Sequence, residues 1–546
     1  MSRITFVIPN RGGKHIDFVI NQLRKYYPDE KYLVVNQEDD EPFKRGPLFN
    51  IAYHYITTDY ICFIDNDIFF KSYIDLVDIY EKNKCQVLMP FNIIEQVNIV
   101  NDNYIATSVG KKIVISNDHS FGPRGGVSFV SKQAYKDLNG FSTLLMGYGY
   151  EDNEFATRCD KNKFINTDNV ICHITHPTRD VKNLHQQLNC VLFNNEGADV
   201  HGGISTTEYR ELYKKMENDV LYIGATDIST SQPKAKELLE LHKPENIRKA
   251  CEYMCDYYIK KYVTSDYILL GVPKHMNIGD TLIWEAEKEL LDKLPYKRLA
   301  TFFFGTYMSH IKEKISDEDI IIFSGGGYLN DIWGGTLEYI YQVLDAFPNN
   351  KVIFLPNSVY KKNSNNIIFN KILNNFKKRK HKPVILSREY QSIKNSRRIF
   401  GATATHILAP DVVLTWDVMK YLEKNGLSYD TGSGTLFIDR DDRERISNKT
   451  FDYDCKSDWP QMKDRPSYAD VNMRCIYWEK DVKDRLIIDA IRWVNKFGVV
   501  YSNRMHGSIL SWLLGKETYL INNSYGKSKS LYETWLLDDN KFKIIE

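Results

Sequence analysis

The sequence predicts an α/β protein of two domains, on three observations. Short apolar runs that read as strands alternate with helical patterns along both halves of the chain. The polar motifs fall in loops that follow those strands, where parallel sheets place their binding crevices. At 546 residues the chain is too long for one ordinary domain.

The first half opens with an apolar strand, Ile4–Pro9, that ends in Pro-Asn-Arg-Gly-Gly. A helical pattern over Asp17–Tyr26 and a strand at Lys31–Asn36 follow. Tyr60–Ile64 is the next strand, and it stops at Asp65-Asn66-Asp67. Past Lys214 the pattern changes. Ser229–Lys234 is polar with a proline, and Lys234–Tyr262 reads as helix broken near Pro244. Residues 216–262 are therefore expected to form a helical connector between a domain over 1–215 and another over 263–546. The second series starts at Tyr267–Val272 and continues through Ile320–Phe323, Lys351–Leu355, Val384–Leu386 and Val499–Tyr501, each with a loop and a helical segment after it. The halves share no repeat. Lys361–Asn366 and Lys377–Lys382 read as solvated basic surface.

Composition narrows the function classes. With 43% hydrophobic and 13% aromatic residues the chain can bury large cores, and a net charge of +1 argues against coating a polyanion, so no nucleic-acid partner is expected. The opening MSRITFVIPN lacks the charged segment and long apolar region of a signal peptide. No apolar stretch approaches the roughly 18 residues of a membrane span. The nine cysteines are scattered, and only Cys251 and Cys255 lie close together, which fits free thiols rather than a zinc or disulfide framework. The expectation is a soluble, cytoplasmic protein; self-association is left open.

The first chemical constellation centres on Asp65-Asn66-Asp67. Carboxylates one residue apart in a turn can meet a hard divalent cation and, through it, a diphosphate. Alone, such a turn is more often solvent-facing. Here it is accompanied by Phe43-Lys44-Arg45, Leu48-Phe49-Asn50, Gly125-Gly126-Val127-Ser128, Asn139-Gly140-Phe141, Gly147 to Glu154, and His173-Ile174-Thr175-His176 with Arg179-Asp180 just after. Over roughly residues 4–195 this series resembles the beta-1,4-galactosyltransferase family, which implies a GT-A, Rossmann-like fold.

The resemblance also implies roles. Asp67, His173 and His176 would ligate Mn²⁺ (or Mg²⁺), and Arg11, Phe43, Arg45 and Asp65 would hold the nucleotide of a UDP-sugar. Gly126, Tyr148 and Glu151 would line the donor and acceptor sugars, and Asp152 would be the base. The chemistry is coherent in its own right. A cation neutralises the departing diphosphate, and one carboxylate on the opposite face takes the acceptor's proton, which predicts inversion at the anomeric carbon. Departures from the family matter. Tyr148 stands where a tryptophan is expected and Tyr150 where a glycine is expected. His173 falls where vertebrate members carry methionine, which leaves the preferred metal open. Pro123-Arg124 replaces an aromatic pair beside the donor sugar, a loss of bulk that could admit an N-acetylhexosamine instead of galactose.

The second constellation follows the second strand series. His275-Met276-Asn277-Ile278-Gly279-Asp280 opens a helical run, Thr281–Leu294. Gly325-Gly326-Gly327 follows a strand, with Asn330-Asp331 beyond it, and such glycines bring backbone N–H groups close to an anion. Ser387-Arg388-Glu389 and Ala409-Pro410-Asp411 come next, and Ser502-Asn503-Arg504-Met505-His506-Gly507 enters a last helix. Across roughly residues 266–536 the series resembles the polysaccharide pyruvyltransferase family. That implies a GT-B-like pair of Rossmann-like lobes and transfer of pyruvate from phosphoenolpyruvate to two sugar hydroxyls as a ketal. It places Arg388, Arg504 and His506 at the phosphoenolpyruvate site, with loops at Asn277, Gly279, Asp280, Gly326 and Asp331. Guanidinium groups suit the substrate's carboxylate and phosphate. His506 would bind phosphate as imidazolium, exchange protons, or both. Asp280 and Asp331 are either hydroxyl-activating bases or caps, with capping favoured.

Together the halves point to a glycan-assembly enzyme acting on a glycan or lipid-linked oligosaccharide acceptor. The alternatives are a second sugar transferase in the C-terminal half, or a carbohydrate-binding scaffold with inactive domains.

Overall fold

A computed structural model describes residues 2–101, 103–107, 111–112, 126–147, 149–175, 183–196, 201, 203–273, 277–332, 334–363, 365–440, 452–459, 478, 482–523 and 526–545. Of the residues singled out above, Pro123, Arg124, Gly125, Tyr148, His176, Arg179, Asp180, His275 and Met276 lie outside these. Two compact units emerge: residues 1–180 with 188–242, and residues 181–187 with 243–546.

The first unit is built on an eight-stranded sheet. Its order is Phe164–Asn166, Val87–Met89, Val127–Ser131, Tyr60–Ile64, Ile4–Asn10, Lys31–Gln37, Val220–Thr230 and Thr207–Glu217. Ile4–Asn10 is buried along its whole length and pairs in parallel on both sides, which is why it reads as a continuous apolar run rather than an alternating one. The helix Ile16–Arg24 turns Ile16, Val19, Ile20 and Leu23 inward at helical spacing. A second sheet joins Ile68–Phe70, Val170–Ile174, Ile93–Val100 and Asn103–Ala106, with Lys111–Lys112 beside Ile93–Val100.

The expected helical connector is corrected here. Its first part is not helix, because Thr207–Glu217 and Val220–Thr230 form an antiparallel hairpin. Asn218 and Asp219 connect the strands with φ of 47° and 60°, the left-handed pair that a tight two-residue turn demands and that Asn and Asp tolerate. Val220–Thr230 then pairs in parallel with Lys31–Gln37, so the hairpin completes the first sheet. Helix begins only at Pro233–Leu239 and resumes as Ile247–Tyr262, interrupted by a 3₁₀ turn at Pro244–Asn246. The boundary between the units falls after His242.

The second unit holds two parallel sheets, as two Rossmann-like lobes require. The first runs Arg298–Phe303, Tyr267–Val272, Ile320–Phe323, Lys351–Tyr360, Val384–Ser387 and Thr405–Leu408, with Gly326–Asn330 also paired to Lys351–Tyr360. The second runs Cys455–Ser457, Thr435–Ile438, Val499–Ser502, Glu517–Ile521 and Phe542–Ile545. Central strands such as Ile320–Phe323 are buried throughout. The motif loops lie at the carboxyl ends of these strands, where the crevice of a parallel sheet opens. No helix among the described residues is long and apolar enough to cross a membrane.

Candidate active sites

In the first unit, Tyr60–Ile64 delivers Asp65 to the sheet's carboxyl end. The Asp65 N–H donates to the Gly126 carbonyl at 2.9 Å, which ties the acidic turn to the glycine before Val127–Ser131. Gly126 has φ +84° and a Cβ there would lie 2.4 Å from the Ile68 side chain, so this contact needs glycine.

Arg45, at the start of the helix Arg45–Tyr53, organises the centre. Its Nε donates to Asp65 at 2.6 Å and its Nη1 to Asp152 at 2.9 Å. Arg45 is buried, and burial would lower its pKa, yet Asp152 and Asp65 hold it firmly charged. Burial pushes the Asp65 carboxyl up to about 6, against the pull of Arg45 and with help from Asp67 and Asp152. Glu151 is likewise driven by burial to about 7. The short helix Glu151–Thr157 starts from Tyr150 at φ +75°. A left-handed backbone at a tyrosine is strained. That residue is the one where the family resemblance expected glycine.

Asp67 and His173 come together across the second sheet. His173 Nε2 lies 3.3 Å from Asp67 Oδ2, and the Ile174 N–H donates to the Asp67 carbonyl. The hydrogen bond to Asp67 raises the His173 pKa. On its other nitrogen His173 meets Gln96 at 3.0 Å, an orienting contact of the kind that fixes a ligating imidazole. The carboxylate oxygen and imidazole nitrogen converge as donors that suit a divalent cation, so these residues fit the implied metal. Among the described residues no group of three His, Cys, Asp or Glu forms a metal cluster. Arg11 reaches the Asp40 carbonyl at 2.9 Å, and the Phe43 carbonyl accepts from Gly147 N–H, tying the loop before Arg45 to the glycine-rich loop before Glu151.

The second unit brings Arg388 and His506 into one cluster around Asp411, a residue with no role assigned above. Asp411 accepts from Arg388 Nη1 at 2.9 Å and lies 3.1 Å from His506 Nε2, while Arg388 Nη1 and His506 Nε2 are 3.5 Å apart. Arg388 follows Val384–Ser387 and Asp411 follows Thr405–Leu408, both in the first lobe. His506 lies in the helix Met505–Leu513 of the second lobe, so the cluster spans the two. Burial would raise the Asp411 carboxyl, but His506, Arg388 and the Val413 N–H hold it below the usual carboxylate range. Arg388 also donates to Ser358 Oγ at 2.9 Å. Arg504 makes a two-pronged contact with Asp458, at 2.5 and 2.6 Å.

The glycine triplet sits over another residue the sequence did not single out. Glu287 is fully buried on the helix Ile278–Leu291 and accepts from Gly325 N–H at 2.5 Å and Ser324 Oγ at 2.8 Å. Burial pushes its carboxyl up to about 8, against those two donors. The folded form therefore binds this proton more tightly than the unfolded chain, and the associated stability is lost as pH rises from about 4.5 to about 8. Glu287→Gln keeps the shape without the titration. The melting-temperature gap between variant and wild type is expected to widen in the variant's favour between about pH 5 and about pH 8. A gap that stays constant would count against a titrating Glu287.

Two expected caps are placed differently. Asn277, not Asp280, caps Ile278–Leu291, accepting from Gly279 N–H at 3.0 Å, and Asp280 accepts from Asn277 Nδ2 at 2.9 Å. An asparagine three residues earlier outcompetes Asp280 because only it sits in the extended conformation of an N-cap. Asp331 instead accepts from the backbone of Lys362 and Asn363, pinning a loop.

Of the residues missed, Glu287 alone had a readable signal. Glu287 is a carboxylate on the apolar face shared with Ile283, Ala286 and Leu290, a placement that demands donors. Asp458 lies beside the last described strand before a long stretch outside the described residues, and no sequence pattern links it to Arg504.

Comparison with known proteins follows the same division. Residues 277–525 match the family model "Polysaccharide pyruvyl transferase", and residues 116–179 match "N-terminal domain of galactosyltransferase". The chain is 27% identical over 286 residues to General stress protein 30 of Bacillus subtilis, covering 49% of this chain and 77% of that protein. It is 24% identical over 295 residues to Pyruvyl transferase 1 of Schizosaccharomyces pombe, covering 49% and 69%. It is 26% identical over 190 residues to Beta-1,4-galactosyltransferase 1 of Mus musculus, covering 33% of this chain and 43% of that protein. A Drosophila beta-1,4-galactosyltransferase 7 mutant, solved with manganese, UDP-Gal and xylobiose, aligns at 15% identity and a TM-score of 0.32, over 44% of this chain and 99% of that one.

Proposed function

We propose, for a chain whose N-terminal half resembles galactosyltransferases and whose C-terminal half resembles polysaccharide pyruvyl transferases, that it is a bifunctional enzyme of glycan assembly. The N-terminal half transfers a hexose or N-acetylhexosamine, galactose being the first choice, from a UDP-sugar to a glycan acceptor with inversion. The C-terminal half moves pyruvate from phosphoenolpyruvate onto a sugar as a ketal. The observation that carries this reading is the Arg388–Asp411–His506 cluster, a buried charged cradle at the carboxyl ends of parallel strands, in the half that matches the pyruvyl transferase model.

In sugar transfer, Asp152 receives the proton of the acceptor hydroxyl, and Arg45 holds that carboxylate in place while reaching Asp65 on the donor side. Asp67 and His173, with His176, would hold Mn²⁺ or Mg²⁺, which supplies positive charge to the departing diphosphate. In pyruvyl transfer, Arg388 and Arg504 bind the carboxylate and phosphate of phosphoenolpyruvate, and His506 binds phosphate or exchanges a proton.

The test is an assay with UDP-sugars, Mn²⁺, phosphoenolpyruvate and an acceptor panel, read by mass. Two separable mass gains are expected. Asp152→Asn should abolish only the sugar gain, and Arg504→Ala only the pyruvate gain. Wild-type enzyme that consumes UDP-sugar but ignores phosphoenolpyruvate would sink the C-terminal assignment.

A further inference from the structure

We propose that Asp280 is the base that receives the proton of the sugar hydroxyl as it adds to the enol carbon of phosphoenolpyruvate. This deepens the pyruvyl-transfer reading of the C-terminal half and rests on it.

The argument begins with location. Asp280 lies in the first turn of Ile278–Leu291, one residue after Gly279. A Cβ at Gly279 would lie only 2.9 Å from His506 Nδ1, so the imidazole packs directly on this helix start. On its other side Asp280 approaches the glycine triplet. Gly326 has φ +118°, and a Cβ there would lie 3.7 Å from Asp280 Oδ1. Asp280 thus stands between the His506 imidazole and the glycine triplet.

Orientation and access follow. Asn277 caps the helix through its Oδ1 and uses its Nδ2 to hold Asp280 Oδ2, so the carboxylate is aimed by a residue that is itself fixed. Asp280 is half-buried, whereas the Asp411 carboxylate is taken up by Arg388, His506 and the Val413 N–H, and that of Glu287 by Ser324 and the Gly325 N–H. A base must touch the hydroxyl it deprotonates, and only a carboxylate within reach of the cleft can do so.

The proton count also calls for such a group. Ketal formation takes two hydroxyl protons from the sugar. The methylene carbon of phosphoenolpyruvate gains one and becomes a methyl group. The other leaves with phosphate as the carbon–oxygen bond to phosphorus's bridging oxygen breaks and the second sugar oxygen bonds the same carbon. As the first carbon–oxygen bond forms, His506 gives a proton to the methylene carbon and Asp280 takes the hydroxyl's; as phosphate departs Asp280 passes that proton to it, and the second hydroxyl's proton returns to His506, so both groups end the cycle as they began it.

The experiment compares wild type, Asp280→Asn and Asp280→Glu as full chains, with three readouts: phosphoenolpyruvate binding by calorimetry, phosphoenolpyruvate-dependent mass gain on the acceptor panel, and melting temperature. General-base removal is expected to cut kcat by about 100- to 10,000-fold. Phosphoenolpyruvate affinity in Asp280→Asn should stay within about twofold and the melting temperature should not fall, while Asp280→Glu should restore part of the rate. Transfer by Asp280→Asn within tenfold of wild type overturns the assignment, as does loss of binding and melting temperature together, which marks a structural role. Wild type that neither binds phosphoenolpyruvate nor transfers pyruvate overturns the underlying pyruvyl-transfer reading instead, and the Asp280 assignment with it.

Discussion

An Arg388→Ala variant is expected to lose phosphoenolpyruvate-dependent transfer and to destabilise the C-terminal half by about 3–5 kcal/mol, the scale seen when one partner of a buried ion pair is removed. Arg388 and Asp411 are 2% and 1% exposed, so deleting the guanidinium leaves Asp411 in a dry site with the His506 imidazole beside it. The Ser358 hydroxyl would lose its partner as well. The measurement is the urea midpoint alongside the pyruvyl-transfer rate. The double change Arg388→Met, Asp411→Leu separates stability from chemistry, because it removes both charges at similar volume. It should recover most of the midpoint and none of the transfer. Recovery of transfer in the double variant would show that the pair supports the fold and not the reaction.

Arg45→Ala should lower sugar transfer by about 100- to 1,000-fold, the cost of losing a preorganised charged donor, with the UDP-sugar KM raised as well. The reason is crowding. Asp65, Glu151 and Asp152 share a buried corner in which Arg45 is the cation that contacts two of them. Without it, the crowded carboxylates repel one another and Asp152 loses the contact that aims it. Arg45→Lys keeps the charge but cannot reach both carboxylates with a planar fork, so it should recover part of the loss. Initial-rate kinetics with UDP-sugar and acceptor varied in turn provide the check. An unchanged kcat in Arg45→Ala would remove this residue from any role in aiming Asp152.

Much of the architecture was legible because burial on both faces leaves a simple mark. Ile4–Asn10, Tyr60–Ile64 and Ile320–Phe323 are buried throughout, mostly apolar, and lead into polar turns, which gave away both the parallel sheets and the loops that matter. The motif resemblances led to Asp65, Asp67, Asp152, His173, Arg388 and His506, and the structure brings these together in two groups. Pairing was harder to read. Asp411 precedes His506 by 95 residues, and nothing local announces that they share a hydrogen bond. The hairpin over Thr207–Thr230 was hidden because Thr207–Glu217 is an edge strand, exposed along most of its length and lacking the apolar alternation that marks a half-buried one. Its only local sign was the Asn218-Asp219 turn.

That hairpin governs how the two halves can be produced separately. Val220–Thr230 covers the flank of Lys31–Gln37, whose Tyr32, Leu33, Val34 and Val35 are all buried. A fragment cut at 215 would strip this cover and bare a row of unpaired backbone donors and acceptors beside an oily strand, an invitation to intermolecular stacking. A fragment carried through His242 keeps the flank sealed, so expression trials of the sugar-transferring half belong at that longer boundary.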